Sequence, residues 1–140
     1  MKSSRILIVG TCAAFAFTGI VSSTAFAEEK EGAEMKMTIP ATIEGIMTEI
    51  HTHQGELADV VKAKKLSDVH HHAFAIRDLV AALPDKVTAD KKAHVEGSVK
   101  NIAKLAGELD ESGDANNQAL TETTLKKFDA VLMVLMKQIM

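Results

Sequence analysis

Between Pro40 and Met140 apolar side chains recur every three or four residues, in four stretches parted by polar or proline-containing breaks. That period places them on one face of an α-helix, so each stretch predicts an amphipathic helix. The first spans about residues 41–63, with Ile43, Ile46, Met47, Ile50, Leu57, Val60 and Val61 on its face. Lys62, Lys64 and Lys65 follow at its end, where cations suit the helix dipole. A second helix restarts at Leu66-Ser67-Asp68, with Ser67 as cap and Asp68 in the first turn. Val69, His72, Ala73, Ile76, Leu79, Val80 and Leu83 form its inward face, and Pro84 stops it. Thr88 or Asp90 opens the third, whose stripe is Val95, Val99, Ile102, Leu105, Ala106 and Leu109. Residues 110–114 then read as a turn, with Gly113 at the helix stop. A fourth helix starts near Asn117 and turns Leu120, Thr124, Phe128, Val131, Leu132, Leu135 and Ile139 inward.

No strand pattern accompanies these helices. Four amphipathic helices with short connections bury their stripes together as an all-α, antiparallel up-down four-helix bundle over residues 40–140, a single domain. In the fourth helix the run from Ala130 to Met136 is apolar all round, so Met133 and Val134 point away from the bundle's own core. A homodimer through this helix is the simplest expectation; docking of another exported protein is the alternative.

The start of the chain has a different pattern. Lys2 and Arg5 precede a charge-free apolar run from Ile6 to Val21, followed by Ser22, Ser23, Thr24 and Ala25-Phe26-Ala27. That is the order of a secretory signal peptide, residues 1–27, with cleavage expected after Ala27. The run is shorter than the ~20 apolar residues of a membrane-spanning helix, so no membrane association is expected after cleavage, and the destination is periplasmic or secreted. Residues 28–39 are charged and aperiodic, a flexible leader. Cleavage removes Cys12, the one cysteine, so neither a disulfide nor a thiolate site is available to the rest. It also removes two cations from a chain of net charge −3, and the acidic remainder argues against nucleic acid as a partner.

An exported precursor, four helices, Met47 early in the first and an Asp-Gly-type turn before the last together resemble the soluble periplasmic b-type cytochrome family. The resemblance is one of architecture over the whole chain after the signal. It implies haem held by a methionine of the first helix, which Met47 matches, and by a histidine near the end of the last. There this chain has Met133, Met136 and Met140 and no histidine, and it also lacks the Cys-X-X-Cys-His motif of the related c-type bundles.

The six histidines carry the remaining chemistry: His51, His53, His70, His71, His72 and His94. Imidazole is a preferred neutral ligand of zinc, copper and nickel. At about 100° per residue His70, His71 and His72 point three ways, and His51 and His53 lie about 160° apart, so a site must be assembled across helices. With hairpins closing at residues 64–66 and 84–87, His53 and His94 fall at similar heights and His72 roughly 8 Å nearer the first loop. A pair of histidines completed by a carboxylate or water fits better than a three-histidine site. Asp68 precedes His72, Asp90 precedes His94 and Glu49 precedes His53, each by four residues, so that each carboxylate can orient its ring.

The expected function is therefore non-enzymatic binding of a divalent transition metal through His53, His72 and His94, with His51 and His70 as further ligands, for buffering or sensing. Two other classes stand beside it: a b-type haem electron-transfer bundle and a ligand-free adaptor. Solvated or core histidines with no ligand remain the bland reading. No nucleophile–base pattern or phosphate loop points to an enzyme.

Overall fold

The computed structural model describes residues 37–140. The expected signal peptide, and the leader up to residue 36, lie outside the described residues. Four helices follow in order, α1 (Ile43–Lys62), α2 (Val69–Ala81), α3 (Ala89–Asp114) and α4 (Gln118–Ile139), with one 3-10 turn over Leu66–Asp68. There is no strand among the described residues, and no helix there is long and apolar enough to cross a membrane.

Polar ties between helix ends fix the directions. Lys86 Nζ donates to the Ala41 carbonyl (2.7 Å), Lys91 Nζ to that of Ile139 (2.9 Å) and Gln118 Nε2 to that of Val61 (2.9 Å). The end of α2 thus meets the start of α1, the start of α3 meets the end of α4, and the start of α4 meets the end of α1. All sequential neighbours run antiparallel, as the short connections require. α4 closes back on α1 along a shorter contact, where Gln54 Nε2 donates to Asp129 Oδ1 at 2.7 Å. Ile46, Ile50, Leu57, Ile76, Ile102, Leu109, Phe128 and Leu132 are fully buried between the helices.

Helix boundaries follow local chemistry, with departures from the sequence pattern. Thr42 caps α1, its hydroxyl accepting from the Gly45 N–H at 3.1 Å. α1 ends where Lys64 turns into the left-handed region (φ 59°), so that Lys65 N–H reaches back to the Val60 carbonyl. Ser67 does not cap α2: its hydroxyl donates to Asp68 Oδ1 at 3.1 Å inside the 3-10 turn, and the helix begins at Val69. On α4 the cap is Asn117, whose Oδ1 accepts from the Leu120 N–H at 3.2 Å. Leu120 itself is half exposed and Thr121 is buried in its place. The angles account for the exchange, since Thr121 lies about 20° from Phe128 around the helix and Leu120 about 80°. Met133 and Val134 stand exposed on the outer face of α4, as expected from their phase.

Residues 110–114 are not a turn. They complete α3, and the reversal comes at Asn116, in the left-handed region at φ 50°. Gly113 is helical and buried, and its role is close approach: a Cβ built there would lie 2.7 Å from the Leu66 carbonyl oxygen. Gly113→Ala is therefore expected to destabilise the bundle by about 1–3 kcal/mol in urea unfolding, the usual range for overpacking against a backbone that cannot yield. Gly97→Ala should have the opposite sign, about 0.5–1 kcal/mol stabilising, because nothing lies within 4 Å of its built Cβ and alanine is the better helix former. Equal effects at the two positions would contradict this packing.

Candidate metal centre

The helical period of α1 puts His53 on the flank of its buried stripe and Glu56, three residues on, one step further toward solvent. His72 occupies the corresponding flank of α2. Antiparallel packing sets the two flanks edge to edge, and three side chains converge. His53 Nδ1 lies 3.3 Å from His72 Nδ1, and the same Glu56 oxygen, Oε2, lies 3.3 Å from the first and 3.2 Å from the second. The histidine side chains are 18% and 20% exposed and that of Glu56 51%, so the cluster sits at the rim of the α1–α2 interface with one side open. Ring centroids 5.6 Å apart at 46° show that the imidazoles approach through their nitrogens rather than stacking.

Those three distances match a coordination polyhedron. A tetrahedral ion with bonds of about 2.0–2.1 Å holds neighbouring nitrogen and oxygen donors about 3.3 Å apart. An octahedral ion at about 2.1 Å holds them near 3.0 Å. The donor triangle thus has the edge length of a tetrahedral face. Without an ion, the two rings share a hydrogen bond between their Nδ1 atoms, and Glu56 Oε2 stands at ion-pair distance from both.

Burial holds the His72 imidazole below its ordinary pKa; Glu56 opposes this, while His53 and His71 add to it. The neutral ring, the form that binds metal, is therefore favoured in the folded protein. A histidine whose folded pKa is lowered contributes stability that is fully present above the unfolded value of about 6.5 and is lost as pH falls through it toward the folded value. Metal-free protein is expected to lose stability as pH falls through about 6.5, and His72→Gln should flatten that part of the profile. Thermal unfolding on either side of that pH tests it; stability that rises toward acid would have the wrong sign.

The other candidate residues stand elsewhere. His94 is exposed on α3, His51 is exposed on α1, and His70 is half-buried at the start of α2, its ring 3.9 Å from that of His71. None of the three belongs to the converging group. Met47 is half-buried on α1 and packs against the apolar core. Asp68 takes the Ser67 hydroxyl, and Asp90 is held below its ordinary pKa by the Thr88 hydroxyl and its own backbone N–H. Glu49, exposed, is not the carboxylate that meets His53; Glu56 is.

His53 and His72 also lie closer in height than their spacing suggests. Because the chain reverses over residues 63–65, the hairpin closes earlier than at 64–66, and the 3-10 turn adds about 2.0 Å per residue on the α2 side. Both effects draw His72 level with His53. Glu56 carries a sequence signal that a search for carboxylates four residues before a histidine misses: His53-X-X-Glu56 is an i, i+3 pair, which shares a helix face equally well.

Searches against protein-family models, curated proteins and solved structures return no significant match to this chain. The chemistry of the site rests on its own donor atoms.

Proposed function

We propose that this protein binds one divalent transition metal ion through His53, Glu56 and His72, and acts in metal buffering or sensing outside the cytoplasm. The observation that carries the reading is the convergence of three donor atoms from two helices at 3.2–3.3 Å. Two neutral imidazoles and one carboxylate suit zinc, copper or nickel, and the tetrahedral edge length favours zinc among them. Partial exposure suits a protein that takes up and releases its ion. The address rests on the signal-like pattern of residues 1–27.

Calorimetric titration with zinc at pH 7.5 is expected to give one ion per chain, with binding lost in His53→Ala and His72→Ala and kept in His94→Ala. Loss in His94→Ala alone would move the site to α3. A haem-carrying bundle would need a second axial ligand opposite Met47, and α4 holds no histidine to supply it. Protein purified with stoichiometric haem, visible in its absorption spectrum, would replace the metal reading.

A further inference from the structure

Three protein donors leave a tetrahedral ion one position short, and the surroundings decide who fills it. On the inner side of the donor triangle stand the buried stripes of α1 and α2, among them Ile50, Leu57, Ala73 and Ile76, all fully inaccessible and all apolar. Those side chains offer an ion no nitrogen or oxygen donor. Three bonds of about 2.05 Å to a triangle with these edges would hold an ion about 0.8 Å out of its plane, and the donor-free apolar side chains favour the solvent side for it. Its remaining bond would then point outward, on the side where Glu56 is half exposed.

The other histidine and carboxylate side chains within one turn of His53 and His72 lie outside the convergent group. Asp68, one turn before His72, accepts the Ser67 hydroxyl and lies outside the group of convergent donors. His71 is exposed and about 100° around α2 from His72. Glu49, one turn before His53, is likewise outside the group.

We infer that the fourth coordination position of the His53–Glu56–His72 centre is left to an exogenous single-atom donor, water at rest, exchangeable for an imidazole nitrogen or a small anion. This rests on the metal-binding reading above and extends it to how the ion leaves. Structural zinc sites use four protein ligands and are closed, whereas sites with three keep an exchangeable position. A donor atom of an accepting molecule enters at that position first, and the ion is then transferred by successive ligand exchange while the bundle stays folded. Glu56, 51% exposed against 18% and 20% for the histidines, would be the first protein ligand to be released.

Cobalt(II) is the probe, because a tetrahedral cobalt centre absorbs visibly and its bands move when one ligand is exchanged. Purified protein loaded with one equivalent of cobalt is expected to show tetrahedral bands, absent in His72→Ala, that shift on titration with azide to a single saturating end point. Imidazole should produce its own, different end point, and Asp68→Asn should respond to azide as the unmodified protein does. Cobalt bands that azide and imidazole leave unmoved would show a coordination sphere closed by the protein and overturn the inference while leaving the metal centre intact. An azide response that appears only in Asp68→Asn would name Asp68 as the closing ligand. Bands that survive His72→Ala, or no bands at all, would overturn the centre itself.

Discussion

Zinc at a hundredfold excess over its dissociation constant is expected to raise the melting temperature by roughly 10 °C or more at pH 7.5, and to leave it unmoved near pH 5. An ion that binds only the folded bundle stabilises it by RT ln(1 + [L]/Kd), about 2.7 kcal/mol at that excess. For a domain of this size each kcal/mol moves the midpoint by about 4–8 °C. The binding form requires both imidazoles neutral, so protons compete with the ion for the same nitrogens and acid removes the effect. His53→Ala and His72→Ala should each remove the shift, and Glu56→Gln most of it, because a neutral amide is a poorer ligand than a carboxylate. His51→Ala, His71→Ala and His94→Ala should keep it, since those side chains stand outside the convergent group. A shift that persists without His72 but falls with His71 would mean that metal binds at the surface around His71 rather than at the convergent group.

Phe128→Ala should be the most damaging single truncation, at about 3–5 kcal/mol. Native domains are stable by only about 5–15 kcal/mol, so this variant approaches the threshold of unfolding. From Glu28 onward the chain has two aromatic side chains, Phe74 and Phe128, and no tyrosine or tryptophan. Phe128 is fully inaccessible and the largest side chain in the core. Phe74 is half-buried, with the Arg77 guanidinium 4.4 Å from its ring centre, so its truncation exposes less cavity and should cost clearly less. Urea unfolding of the two variants checks the order, and a Phe128→Ala variant as stable as Phe74→Ala would contradict the placement of the core.

The helices were legible because the pattern that specifies them is local and repeated. Ile46, Ile50, Leu57 and Val61, or Val95, Ile102, Ala106 and Leu109, keep phase over several turns, and burial follows that phase. Ends were less legible, because they depend on single contacts. Gly113 resembles a helix stop in sequence, but its reason is the Leu66 carbonyl, a neighbour 47 positions away that no local pattern reveals. Asn116 made the reversal instead. Leu120 and Thr121 exchanged roles because hydrophobicity was the wrong guide at a first turn, where Thr121 hydrogen-bonds to the buried Ser112 hydroxyl at 3.1 Å.

The candidate site was half legible for the same reason. His53 stood out as a flank residue of α1, and His72 was expected on the inward face of α2, whereas it lies at the rim, 20% exposed; their contact depends on hairpin register, which one left-handed residue at Lys64 shifts. Glu56 was hidden among exposed acidic residues with no feature but its spacing from His53. Asp68 has the right spacing from His72, yet the 3-10 turn commits it to Ser67.

The central claim is that His53, Glu56 and His72 hold a metal ion, and nitrogen-15 spectra of the imidazole side chains during zinc addition test it most directly. The Nδ1 resonances of His53 and His72 are expected to move together and stop at one equivalent, while those of His51, His70, His71 and His94 stay in place. Movement of His70, His71 or His94 with His53 and His72 unchanged would contradict it.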